Sequence, residues 1–303
     1  MHGFFSHDPH GSFMSKTKDL SIAATSIVVL AALVATVASF FAGRGDARPE
    51  KPAQGCQVSV EEHSAYLDYD QAQNAAIIVG ESIRRGLPAR AATIALTTAM
   101  QESMLRNLDY GDLDSIGLFQ QRPSQGWGTQ EQIMDPWYSA GAFYDHLVTV
   151  PDWQNGDIND VAQEVQRSNH PNEYRKHEPD ARAWASALAG FSPAAISCVD
   201  QQENPADPTK LTDFFTRVWA DALLVAQDGS TITVQAGSKS TTWAVAQLSQ
   251  MLGQQAGLVA ASTNDHHWTM SPDSYQQWQS SETPSPEESS WRATLLLRSA
   301  EAN

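Results

Sequence analysis

Basic residues are scarce in this chain. Lys and Arg number 19 against 35 Asp and Glu, a formal net charge of -16 over 303 residues. Nucleic-acid binding rewards clustered cations, so that class of partner is excluded. The same deficit gives no help on a polyanionic surface, and a neutral ligand such as a glycan suits the balance better. Cysteine is rarer still, with only Cys56 and Cys198. In an exported protein such an even pair reads as one disulfide; two unrelated buried thiols are the other reading. Histidines at ligand spacing are missing: His146, His170 and His177 stand apart, and the side-by-side His266 and His267 point to opposite sides of a strand. The sequence therefore calls for no metal and no cofactor.

Long apolar runs are missing too, with one exception, Leu20 to Ala42. It carries no charge and is long enough to cross a bilayer, which takes about 20 residues. A cleaved signal peptide has a shorter apolar core, and no small-x-small cleavage site follows this one closely. The run reads as an uncleaved signal anchor over 20–42, with a polar cytoplasmic tail over 1–19. Lys16 and Lys18 before it and Arg44, Arg48 and Lys51 after it leave the charge rule for orientation undecided. The cysteine pair places the bulk of the chain on the extracytoplasmic side.

What is present begins with a charged, Pro- and Gly-bearing linker over 43–57. Ala72, Ala75, Ala76, Val79 and Ile83 then recur at helical spacing until Gly86. Pro88 opens a second helix, as proline does well in a first turn. Ala91, Ala92, Ile94, Ala95, Leu96, Ala99 and Met100 make that helix mostly apolar, so it belongs in the interior. Glu102 follows Ala99 by three residues and Ala95 by seven, which puts a carboxyl on an apolar row at a helix C-terminus. Partial burial and the negative helix end both favour the neutral acid, the state a general acid needs.

The next stretch is rich in turn formers: Asn107, Asp109, Gly111, Asp112 and Asp114 suggest a small irregular hairpin lobe. The aspartates lack the Gly and closing Glu offsets of a calcium loop. Then come Ser115 to Gln121 and an Arg-Pro-Ser-Gln-Gly-Trp-Gly run from Arg122 to Gly128. Amides that bond hydroxyls and aromatic faces that stack on rings are the parts of a sugar groove.

Glu102-Ser103 after an apolar helix, followed by Gly117-Leu118-Phe119-Gln120, resembles the signature of the lysozyme-like superfamily of soluble lytic transglycosylases and related muramidases. Phe119 stands where that family commonly has Met. The longer string from Gly117 to Gly128 also looks like membrane-anchored actinobacterial proteins of this type. The resemblance covers roughly residues 70–198. It implies cleavage of peptidoglycan glycan strands, with Glu102 as general acid and then base. Ser115 and Gln120 are then groove residues, Trp127 is a ring on which a sugar stacks, and Tyr174 is the late aromatic of the groove. Trp137 and Trp153 are further stacking candidates. Glycoside hydrolysis ordinarily uses two carboxylates. Asp109, Asp112 and Asp114 are all near in sequence, and no spacing rule selects one. A single glutamate assisted by the substrate's own N-acetyl group, yielding a 1,6-anhydro sugar, is the transglycosylase alternative. A binding or secretion-accessory protein that keeps the fold without turnover is a third.

Further helices are expected over 133–150, 157–168 and 181–188, with Asn169-His170-Pro171 as a break. A polar linker over 199–210 precedes a helix over 211–225, a strand over 231–235, a helix over 242–255, and strands over 258–261 and 293–297. A Ser/Pro/Glu-rich stretch, 271–290, interrupts them. The expected whole is α+β and mainly α: a lysozyme-like domain over 58–198, then a small α+β module over 211–303.

Overall fold

The computed structural model describes residues 51–168, 172–281 and 291–299. The apolar run 20–42 lies outside the described residues, as do the break at 169–171 and residues 282–290 of the polar stretch.

The described chain starts with a hairpin, β1 (Gly55–Val60) and β2 (His63–Leu67). The expected linker over 43–57 therefore ends early, because Cys56 and Val58 are buried strand residues. Asp68 caps α1 (Tyr69–Arg84): its carboxylate accepts from the Gln71 N–H, and the Gln71 side chain accepts from the Asp68 N–H. This reciprocal pair satisfies two of the N–H groups that any helix start leaves open. Of the apolar row read from the sequence, Ala72, Ala75, Ala76 and Val79 are buried along α1 and Ile83 is half-buried. Pro88 serves as the N-cap of α2 (Ala89–Ser103), whose Ala91 to Met100 are all buried. That helix runs through the centre of the lobe, packed against α1 and against α5 (Ile158–Gln166) and α6 (Glu178–Leu188).

The expected helix over 133–150 divides into α3 (Gln130–Ile133) and α4 (Pro136–Leu147). The division falls where Asp135 takes the cap position before Pro136 and accepts from the Trp137 N–H. The expected hairpin lobe over 107–114 contains no strand; an isolated bridge between Ile116 and Gln121 follows it.

After α6 the chain returns as β3 (Ile196–Val199) and pairs antiparallel with β1, giving the order β2-β1-β3. Cys56 faces Cys198 in this register, and the two form a disulfide. Next comes α7 (Thr209–Trp219), which stops sooner than expected because Ala220 turns to φ 46°. Leu224 and Val225, expected at the end of that helix, instead belong to β4 (Leu224–Asp228).

The second sheet contains β4, β5 (Thr231–Ala236), β6 (Leu258–Ser262), β7 (His266–Thr269), β8 (Gln279–Ser280) and β9 (Trp291–Leu297). Its order is β4-β5-β9-β6-β7-β8, and every pairing is antiparallel. One face is covered by α8 (Lys239–Met251), followed by the short α9 (Gly253–Ala256). Alternation makes this legible: Ile232, Val234 and Ala236 on β5 and Ala293, Leu295 and Leu297 on β9 all face in.

The described residues thus form a mixed α+β structure with two antiparallel sheets, and residues 51–303 make one compact unit. The two expected modules share a single apolar core, continuous from Cys56 to Leu297. Side-chain amides on α8 join them. Gln247, with no exposed surface, accepts from the N–H groups of Ala195 and Ile196 and donates to the carbonyls of Ala187 and Ser192. Gln250 donates to the Ile196 carbonyl.

A cleft around Glu102

The C-terminus of α2 places the acid. Helical geometry stops at Ser103, and Met104 and Leu105 both turn into the left-handed region at φ 53° and 58°. The Leu105 N–H reaches back to the Ala99 carbonyl, and its side chain is fully buried. The chain is thereby thrown sideways one residue after Glu102, which leaves that carboxyl half-buried at the helix end. Ser103 turns inward and donates to the Leu118 carbonyl at 2.7 Å.

That contact ties the acid-bearing helix to the Gly-Leu-Phe-Gln string. Gly117 sits at φ 79°, a conformation that suits glycine, and a Cβ there would stand 2.9 Å from the Ile133 carbonyl oxygen. Leu118 and Phe119 are fully buried, with the Phe119 ring stacked on Phe143 at 4.7 Å. The Phe119 carbonyl accepts from Gln166 on α5 at 2.7 Å. Gln120, at φ 47°, swings the other way. Its amide donates to the Tyr110 carbonyl and passes so close to Gly111 that a Cβ there would lie 1.8 Å from the Gln120 Oε1. The string thus has two roles: its apolar members anchor it in the core, and its polar flanks open outward.

Glu102, Ser115, Gln120 and Trp127 line one cleft of about 780 Å³. Asp112, Arg122 and Gln125 also face it from the turn region. His146 lines it from the end of α4, residues 149–151 line it beyond that helix, and residues 164–168 line it at the end of α5. The Trp127 ring leans on His146 with centroids 4.1 Å apart. Tyr174 has no exposed surface and does not line the cleft itself, but its hydroxyl donates to Glu102 Oε1 at 2.5 Å. Burial, together with the charge of Glu102, pushes the Tyr174 hydroxyl far above its ordinary pKa, so it stays a donor. Trp137 and Trp153 lie elsewhere. Arg217 covers the Trp137 ring at 4.5 Å and Phe214 stands beside it, while Trp153 is in the core.

The three aspartates separate by environment. Asp114 accepts from Arg122 at 2.6 Å and from the Ser124 N–H at 2.8 Å. Those contacts, the guanidinium foremost, hold its carboxyl far below the usual range, so it is unfit to donate a proton. Asp109 is exposed and is not among the cleft residues, whereas Asp112 is. Glu164, one exposed turn back from the end of α5, joins it as a carboxylate in the cleft. Glu164, Gln166 and His146 were not singled out as site residues from the sequence. Each lies on a helix whose periodicity marks only its buried face, and nothing local tells which exposed residues will look onto a neighbouring wall. Among the described residues no group of three or more His, Cys, Asp or Glu is assembled that could hold a metal ion.

Chemically, the arrangement presents a carboxyl fixed by a buried phenol, amide and hydroxyl groups, an aromatic face and two further carboxylates around one groove. This is equipment for proton transfer to a bound polyhydroxyl ligand. No protein-family model and no curated protein matches this chain.

Proposed function

We propose that this protein cleaves the glycan strands of peptidoglycan at the cell envelope, with a lysozyme-like catalytic lobe and Glu102 as the acid. The observation that carries the reading is the meeting of Glu102, Ser115, Gln120 and Trp127 in one cleft, with the Tyr174 hydroxyl holding the Glu102 carboxyl. Glu102 gives its proton to the glycosidic oxygen as the bond to C1 breaks toward an oxocarbenium-like state. The resulting carboxylate then takes a proton from the incoming nucleophile. If that nucleophile is water, a reducing end forms and Asp112 or Glu164 is the second carboxylate. If it is the sugar's own C6 hydroxyl, a 1,6-anhydro end forms and no second carboxylate is needed. The segment 20–42 serves as a single-pass anchor, and the remainder of the chain acts outside the membrane.

The experiment incubates residues 51–303 and the Glu102→Gln variant with purified peptidoglycan and identifies released fragments by mass spectrometry. The expected result is release by the parent protein and at least a hundredfold less by the variant. Anhydro ends denote transglycosylation and reducing ends denote hydrolysis. Binding without release by the parent would leave a wall-binding accessory protein; equal release by both would remove Glu102 from the chemistry.

A further inference from the structure

The α2 helix ends one residue after Glu102, and the end is made from two successive non-glycine residues in the left-handed region. L-residues seldom adopt that conformation even singly, because Cβ crowds the following carbonyl. Strained backbone persists where its surroundings over-determine it, and here the surroundings are specific. Two side-chain amides on α1 catch the two strained residues in turn. Gln71 Nε2 donates to the Met104 carbonyl at 2.8 Å, and Asn74 Nδ2 donates to the Leu105 carbonyl at 2.8 Å. Gln71 uses its other amide atom to accept the Asp68 N–H at 3.1 Å, so one side chain joins the start of α1 to the end of α2. Asp68 adds an ion pair with Arg106, the residue after Leu105. Positions 68, 71 and 74 follow one another at three-residue spacing, which keeps them along one side of the first turns of α1.

We infer that Gln71 and Asn74 are positioning residues for Glu102, clamping the backbone turn that aims its carboxyl at the cleft and at the Tyr174 hydroxyl. Neither lines the cleft, so neither is placed to touch a ligand there. An ordinary helix end satisfies its last carbonyls with water or a glycine-based turn. This one adds two half-buried side-chain amides, which bond the carbonyls of the two left-handed residues themselves. A relaxed turn displaces Glu102, and displacement of a reacting group by about 1 Å costs up to about a hundredfold in rate. Substrate binding, made by other residues, is untouched.

The inference rests on the proposed function for its kinetic readout, and a second measurement frees it from that reading. The full-length chain in mild detergent is compared with Asn74→Leu, a near-isosteric side chain that cannot donate. A second variant, Gln71→Glu, keeps the acceptor for the Asp68 N–H and loses the donor to Met104. Both are expected to lower kcat on peptidoglycan about 10- to 100-fold with KM within about twofold, at a temperature where both remain folded. A kcat within twofold of the parent in both variants, or a change confined to KM, would overturn the inference. The second measurement is the side-chain carboxyl ¹³C shift of Glu102 at fixed pH. It should move in Asn74→Leu while that of Glu81 does not; an unmoved Glu102 signal also overturns the inference. If the parent cleaves nothing, the proposed function falls and the carboxyl shift alone decides the clamp.

Discussion

At the scale of single residues, the contact between Tyr174 and Glu102 sets the behaviour of the site. A net hydrogen bond is worth about 0.5–1.5 kcal/mol, and this one is sheltered by a tyrosine with no exposed surface. Tyr174→Phe keeps the ring and removes the hydroxyl. Release of glycan fragments is expected to fall about tenfold or more in kcat, with the thermal midpoint changed little; unchanged turnover would show that the hydroxyl does not serve the acid. Glu81 poses a different residue-scale question. It is 3% exposed on α1 and accepts from Arg84 and Arg85 at 2.6–2.7 Å. Burial alone would raise its pKa, but the hydrogen bonds and charges of the two guanidinium groups outweigh it and hold the carboxyl below its usual value. The folded group therefore titrates lower than the unfolded one. As pH falls through the ordinary carboxylate range the unfolded chain takes up a proton that the folded chain refuses, so stability is present above that range and drains below it. Urea unfolding from pH 7 down to pH 3 should show that loss, and Glu81→Gln should flatten it while costing about 1–2 kcal/mol at pH 7, since Arg84 is half-exposed and Arg85 keeps its ion pair with Asp145.

At the scale of elements, the decisive piece is α8, which serves two neighbours. It is buried all round from Thr242 to Met251, with Trp243, Val245 and Leu248 among its apolar residues. Toward the first lobe it offers Gln247, whose amide uses four backbone partners across the turn from α6 to β3. A buried amide with every bond made is tolerated; the same partners stranded are not. Gln247→Leu should therefore destabilise by more than about 3 kcal/mol although it adds apolar surface. Denaturant midpoints would check this, and a neutral or stabilising result would mean that the loop at Ala195 re-pairs with solvent. The same logic explains how β3, the edge strand of its sheet, has all four residues buried: Gln247, Gln250 and Trp278 bond the Ile196 backbone.

At the scale of the whole molecule, the described unit is held by one core and one covalent tie. Cys56 and Cys198 are 142 residues apart in sequence and directly opposed on β1 and β3. Closing so long a loop stabilises by about 4–5 kcal/mol in the chain-entropy model. Reduction should lower the unfolding free energy of residues 51–303 by an amount of that order and leave a single cooperative transition. Two transitions, one for each side of 199–210, would show that the shared core does not couple them. No helix among the described residues is long and apolar enough to cross a membrane, so the expected anchor rests on the sequence of 20–42 alone.

Local chemistry was enough for much of this. Helical spacing placed α1, α2, α5 and α6 to within a few residues, because each buries one stripe against a neighbour and caps itself with adjacent residues such as Asp68 and Asp157. Alternation placed β5 for the matching reason in strands, and β6 and β9 also fall where strands were expected. Glu102, Ser115, Gln120 and Trp127 were legible as candidates since residue type and order along a turn are written in the chain. Pairings between distant segments were not. β1 pairs locally with β2, but its second ladder forms only when β3 returns to it. Leu224 and Val225 become a strand because β5 is there to receive them. The Asp-rich turn holds its shape by reaching Gln120 and Arg122 and not by a hairpin register of its own. The choice among carboxylates likewise lay outside the sequence. Asp114 is tied to Arg122 and is not part of the cleft lining, whereas α5 brings in Glu164, and both depend on which walls face the cleft. The sequence determined which residues are equipped for the chemistry; tertiary packing decided which of them meet, because a cleft is made of surfaces that local propensity leaves unassigned.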